Sequence, residues 1–162
     1  MKKFIAVLLL TISVTYAIDG GWYIGAGTDS SNELKIYKIG YLRDDNSGRA
    51  EGYYKEDSPD NFDIRTIGIR GERTFLPFGD SSDILPFTSA GFGLGSLSGV
   101  DNTLVLEYEF GVGVHYFIHK DIDILGGFFW RFTDINIDDE DGDTYHTSTS
   151  NTNLEIGINY HF

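Results

Sequence analysis

The single His-x-Ser triplet in the chain is His146-Thr147-Ser148, a base and a hydroxyl close enough in sequence to suggest hydrolytic chemistry. A serine nucleophile needs that base within hydrogen-bond reach and a third group to orient the base. The triplet stands in a Thr/Ser-rich stretch between 133 and 152 that reads as a connection, and a loop offers little of that support. No catalytic residue is therefore assigned. Just upstream, 138–143 reads Asp-Asp-Glu-Asp-Gly-Asp, a crowd of oxygen ligands. A calcium-binding EF-hand loop needs ligands at positions one, three and five before its glycine at six, and a glutamate at twelve. Counting from Gly142 puts Ile137 at position one and Ser148 at position twelve, so a dedicated loop of that type is not expected. Asp139, Asp141 and Asp143 are left as ligands for loose divalent-cation binding. The chain has no cysteine, which removes thiolate metal sites, disulfides and cysteine nucleophiles, and no cofactor is expected.

The remaining chemistry-bearing residues are charges set into regular alternation. Between Leu104 and Tyr116 the even positions are Leu, Leu, Tyr, Phe, Val, Val and Tyr, while the odd ones include Glu107, Glu109, two glycines and His115. The end of the chain repeats this, with Leu154, Ile156, Ile158, Tyr160 and Phe162 against Glu155, Gly157, Asn159 and His161. Period two with two unlike faces is the mark of strands. Similar alternation places Arg70 and Glu72 opposite Ile67 and Ile69, and Asp123 and Arg131 opposite Ile124, Phe128 and Trp130. Eight strands are expected, the third of them, around 50–55, poorly marked. The connections expected after strands one, three, five and seven are 28–33, 55–63, 96–103 and 133–152, and together they carry a charge of −12. The longest of the connections is expected to be the last of these, and the tightest, 118–121, to lie at the opposite end.

Chain-wide properties narrow the class. The 162 residues carry a formal charge of −13, which argues against nucleic-acid binding. Aromatic residues at 15% are too many for a disordered acidic chain. Residues 1–17 read as a secretory signal: Lys2 and Lys3, an apolar run from Phe4 to Ile12, and small residues at Thr15 and Ala17. The apolar run is shorter than the roughly 20 residues a spanning helix needs. Removal of the leader leaves 18–162, which is 145 residues at −15, because the leader holds two lysines and no carboxylate.

Alternation does not say which face is inside. Glycine is a poor choice for a solvated strand exterior, where it weakens the strand and packs nothing. It suits the interior of a narrow barrel, with Trp22, Phe110, Phe128, Trp130 and Tyr160 turned outward to lipid. Backbone groups in hydrocarbon must all be paired, so the sheet must close on itself. Arg70, Glu72, Glu107, Glu109, Asp123 and Arg131 then point into the lumen, where they form a charge network filling it or, alternatively, line a small pore.

The leader, the glycine-and-aromatic strands and the last strand, Asn153 to Phe162, resemble the small outer-membrane β-barrel family of OmpA membrane domains, OmpX-like and opacity-type proteins. The resemblance implies an all-β, eight-stranded antiparallel up-and-down transmembrane barrel in the bacterial outer membrane, expected as a monomer. It also implies that Ile158, Tyr160 and Phe162 are the signal read by the barrel-assembly machinery. The function expected is a structural and surface-interaction role carried by acidic extracellular loops in contact with outer-membrane lipids, lipopolysaccharide and divalent cations. A porin-like pore is the alternative. A lipid-modifying barrel enzyme is a second, since lipid A deacylases of similar size use a His/Ser pair; here the Asn that follows their Ser is replaced by Thr149.

Overall fold

Alternation of small or charged residues with large apolar ones closes into a barrel turned inside out. The computed structural model describes residues 21–29, 34–43, 47–58, 63–75, 83–100, 103–138 and 144–162. The strands are β1 (Trp22–Asp29), β2 (Leu34–Leu42), β3 (Gly48–Asp57), β4 (Ile64–Thr74), β5 (Ile84–Leu97), β6 (Thr103–His119), β7 (Ile122–Asp138) and β8 (Thr144–His161). Each pairs antiparallel with the next, and β1 pairs with β8 to close the wall, Ala26 standing between Tyr37 and Ile158. The proposed leader at 1–17 lies outside the described residues.

The outward face is the apolar one. On β6, Phe110 is 54% exposed while its neighbour Glu109 is fully buried. Ile67 and Ile69 on β4, Phe128 and Trp130 on β7, and Ile156 and Ile158 on β8 are likewise exposed. The interior glycines have a specific use. Tyr23 pairs with Gly40, Tyr53 with Gly68, Phe87 with Gly113 and Phe129 with Gly111, each across a strand boundary. In all four pairs the aromatic ring occupies the space a Cβ would take on the glycine; at Gly40 it would stand 2.5 Å from Tyr23 Cζ. Glycine thus lets a ring lie flat against the inner wall of a barrel too narrow for two large side chains abreast.

Two boundaries differ from the sequence reading. Strand β3 is continuous over ten residues, with Arg49, Glu51, Tyr53 and Lys55 inward and Ala50, Gly52 and Tyr54 outward. More consequentially, most of 133–152 is strand and not loop, because β7 and β8 run 17 and 18 residues and pair out to Asp138 and Thr144. The longest connection is consequently 75–83, between β4 and β5, and the expected difference in connection length between the two ends is replaced by a difference in strand length. A strand crosses hydrocarbon in roughly 9–11 residues, so about seven residues of each long strand, some 23 Å, extend past the apolar band. The outward residues change character there, from Phe128, Trp130 and Phe132 to Asp134 and Asn136 on β7, and from Leu154 to Thr152, Ser150 and Ser148 on β8.

Candidate functional site: the charged lumen

The barrel interior is built of two charge layers on aromatic supports. In the middle layer Arg70, on β4, is the hub. Its Nε donates to Glu109 on β6, its Nη1 to Glu51 on β3 at 3.0 Å, and its Nη2 to Glu155 on β8 at 3.3 Å. Arg131 on β7 adds bonds to Glu109 at 3.1 Å and Glu155 at 2.8 Å. Lys55 donates to Glu109 at 2.7 Å and also to Glu107. Lys38 stands 3.8 Å from Glu51, which also accepts from the Tyr23 hydroxyl at 2.6 Å. Arg70, Arg131, Lys55 and Lys38 thus face Glu51, Glu107, Glu109 and Glu155, and the layer is electrically neutral. Neutrality is what allows so many charges in a space with almost no solvent access, since an unmatched buried ion costs several kcal/mol. The rings that the glycines admit complete the support, with the Arg70 guanidinium 4.4 Å from the Phe129 ring centre and the Lys55 ammonium 4.4 Å from that of Tyr53.

The second layer lies toward the end that holds both chain termini. Asp123 accepts from Arg49 Nη1 at 3.0 Å, Asn159 Nδ2 at 2.8 Å, His115 Nδ1 at 2.8 Å and His161 Nε2 at 2.6 Å. The other nitrogen of His115, Nε2, is 2.9 Å from Glu72. The His115 ring therefore bridges a carboxylate on β7 and one on β4. Arg49, His115 and His161 are thus gathered around Asp123, and His115 ties Asp123 to Glu72. Arg49 lies 5.1 Å from the Tyr23 ring and 5.7 Å from that of Phe117.

All six residues marked from the sequence as inward charges lie in these two layers. Arg70, Glu107, Glu109 and Arg131 share the middle one, and Glu72 and Asp123 the terminal one. Sequence reasoning missed Lys38, Arg49, Glu51 and Lys55 as partners, because they lie on strands with weak apolar alternation, and left Glu155 and Asn159 on the polar face of β8 without a role. His146 and Ser148 sit on exposed strand β8 and not in a loop; the Ser148 hydroxyl donates to Asp134 at 2.6 Å, and no hydrogen bond joins it to His146. Ile158 and Tyr160 are exposed on the outer wall, and the Phe162 amide donates to the Trp22 carbonyl at 2.9 Å, tying the last residue to the first strand. Asp139, Asp141 and Asp143 lie outside the described residues.

No protein-family model matches the chain, and no curated protein sequence matches it. Solved structures do match its fold. The N-terminal barrel domain of OprF from Pseudomonas aeruginosa aligns with 88% of this chain and 96% of its own, at TM-score 0.59 and 13% identity. Neisserial surface protein A aligns over 88% and 94% of the two chains at TM-score 0.57 and 17% identity. A de novo designed transmembrane β-barrel gives the same coverage and TM-score at 16% identity. The chain therefore has the eight-stranded fold of the small outer-membrane barrels.

Proposed function

We propose that this chain is an integral outer-membrane barrel with a closed lumen, whose work is done at its outer rim. The observation that carries this reading is the inside-out distribution of residues, an apolar wall around a lumen filled by two interlocked charge layers, the middle one neutral. Such a wall is at home only in lipid, and among the described residues ion pairs and hydrogen bonds cross the lumen from strand to strand in the way of solutes. What projects from the apolar band is the sheet edge formed by β7 and β8, and the sequence adds acidic connections at that end. These carboxylates attract divalent cations and basic partners and meet the phosphates of lipopolysaccharide. In this reading both termini are periplasmic, 1–17 is the export leader, Ile158, Tyr160 and Phe162 are read during assembly, and the barrel acts as a non-catalytic monomer.

Two measurements on the refolded protein and on intact cells test it. The natural chain lacks cysteine, so Ser148→Cys and Lys120→Cys each give one labelling site. A membrane-impermeant maleimide is expected to label the first on intact cells and not the second, and the reverse pattern overturns the topology. In planar bilayers the protein is expected to give no resolved conductance steps. The pore reading has one observation in its favour: Arg49 Nε and Nη2, Glu72 Oε1, Arg131 Nη1 and Asn159 Oδ1 are buried with no hydrogen-bond partner among the described residues, as polar atoms facing a file of water would be. Regular conductance steps would decide for it, and release of fatty acid from lipid A by the purified protein would overturn the non-catalytic reading.

A further inference from the structure

The outer wall is not uniformly covered. In the apolar band of β6, β7 and β8 the outward positions are large except Gly126, but on β3, β4 and β5 four adjacent ones are Ala50, Gly52, Gly71 and Ala90. Gly71 pairs with Ala50 on one side and Ala90 on the other, so the small residues form a continuous floor. A Cβ added at Gly71 would meet nothing within 4 Å. The result is a trough of about 730 Å³ whose rims are Trp22, Ile39 and Tyr41 on one side and Ile69 and Phe92 on the other. Toward the terminal end it continues into a second hollow of about 450 Å³, which shares Tyr41 and Ala50 and is lined by Arg43, Ser47, Gly48, Arg73 and Thr74.

The charge at that mouth decides what the trough fits. Arg73 is exposed on the wall between Gly48 and Thr88, two small neighbours, and among the described residues no carboxylate lies within ion-pair distance of it. Five cations of a strongly acidic chain are buried in the lumen, yet among the outward strand positions at this end the charged one is Arg73; Arg43, Asp83, Lys120 and Asp121 stand in the connections beyond the strands. An apolar channel leading to an exposed guanidinium has the polarity of one lipid molecule, tail in the trough and anionic head at the rim. A second copy of the barrel is the poorer fit, since a two-fold contact through this face brings Arg73 against its own image with no carboxylate to separate them.

We infer that the face formed by β1–β5 is a binding site for an acidic glycerophospholipid, one acyl chain lying over Ala50, Gly71 and Ala90 and the phosphate held by Arg73. The site rests on the membrane reading above, and with the termini periplasmic it faces the inner leaflet. Trp22 on the rim is a built-in reporter. In a Trp130→Phe background the refolded full chain is placed in phosphatidylcholine vesicles containing a small fraction of phosphatidylglycerol brominated on its acyl chain, or the same fraction of brominated phosphatidylcholine. The anionic lipid is expected to occupy the quenching position about five-fold more often than its mole fraction dictates, the preference one arginine gives near a charged headgroup. Arg73→Gln should abolish that preference while leaving quenching by bromine itself. Ala90→Leu, which fills the trough and leaves Arg73 in place, should reduce quenching by both lipids. Equal quenching by the two lipids in the parent protein, or a preference that survives Arg73→Gln, overturns the site. So does protection of Trp22 from both lipids with a chemically cross-linked dimer, which would put a second copy on the trough. Heat-modifiable mobility on gels reports insertion separately, so a chain that never enters the vesicles refutes the membrane reading instead.

Discussion

Replacing Arg70 with methionine is the most direct probe of the lumen. The Arg70 side chain has no solvent access and contacts three carboxylates on three different strands. None of these is stripped bare by the change: Glu109 keeps Lys55 at 2.7 Å and Arg131 at 3.1 Å, Glu155 keeps Arg131 at 2.8 Å, and Glu51 keeps the Tyr23 hydroxyl at 2.6 Å. What is lost is neutrality, since three cations then face four carboxylates. Leaving an uncompensated buried charge typically costs 3–5 kcal/mol, and the surviving partners argue for the lower end, about 3 kcal/mol. That is roughly a hundred-fold in the unfolding equilibrium. Urea unfolding of the vesicle-inserted protein, followed by heat-modifiable mobility and tryptophan fluorescence, measures it. The decisive control adds Glu109→Gln to Arg70→Met, which removes one charge of each sign while the new amide oxygen still accepts from Lys55. The double variant is expected to be more stable than Arg70→Met alone, within about 1–2 kcal/mol of the parent protein. A single variant within about 1 kcal/mol of the parent, or a second substitution that adds to the loss, refutes the argument that charge balance holds the lumen.

Other outcomes follow from the same geometry. Gly68→Ala puts a Cβ into the Tyr53 ring and 2.5 Å from the Phe92 carbonyl oxygen, and should lower stability by about 1–3 kcal/mol in urea, whereas Gly71→Ala meets open space and should change it by less than about 0.5 kcal/mol. Asp123→Asn weakens an acceptor serving Arg49, His115, His161 and Asn159, and should cost about 3 kcal/mol in the same assay; an unchanged urea midpoint counts against the terminal layer. Phe162→Asp is expected to lower the amount of heat-modifiable barrel in outer-membrane fractions severalfold, with Phe162→Tyr near normal, and equal amounts for all three chains would remove the assembly role. Converting Asp138, Asp139, Glu140, Asp141 and Asp143 to their amides should leave heat modifiability intact and weaken calcium binding in a titration; identical titrations would reduce the acidic segment to a solubilising cap.

The amino-acid sequence determined the strands and their faces, because side chains alternate with a period of two whatever the strand pairs with. Leu104 to Tyr116 and Leu154 to Phe162 could hardly be anything else, and glycine on the polar face marked that face as the crowded interior. Strand β3 was faint for the same physical reason: its inward residues Arg49, Glu51 and Lys55 are long and charged and its outward residues Ala50 and Gly52 are small, so the contrast that reveals a strand is nearly absent. The sequence also gave Arg70, Glu109 and Arg131 an inward direction, but not their partners. Arg70 and Glu155 are 85 positions apart and meet only because eight strands close into a ring narrow enough for side chains to cross it. Nor does local composition tell a Thr/Ser-rich loop from a polar strand, so the extension of β7 and β8 emerged only from their pairing with each other. The trough was likewise invisible along the chain. Ala50, Gly71 and Ala90 belong to three strands, and only the register of the closed sheet lays them side by side beneath Arg73.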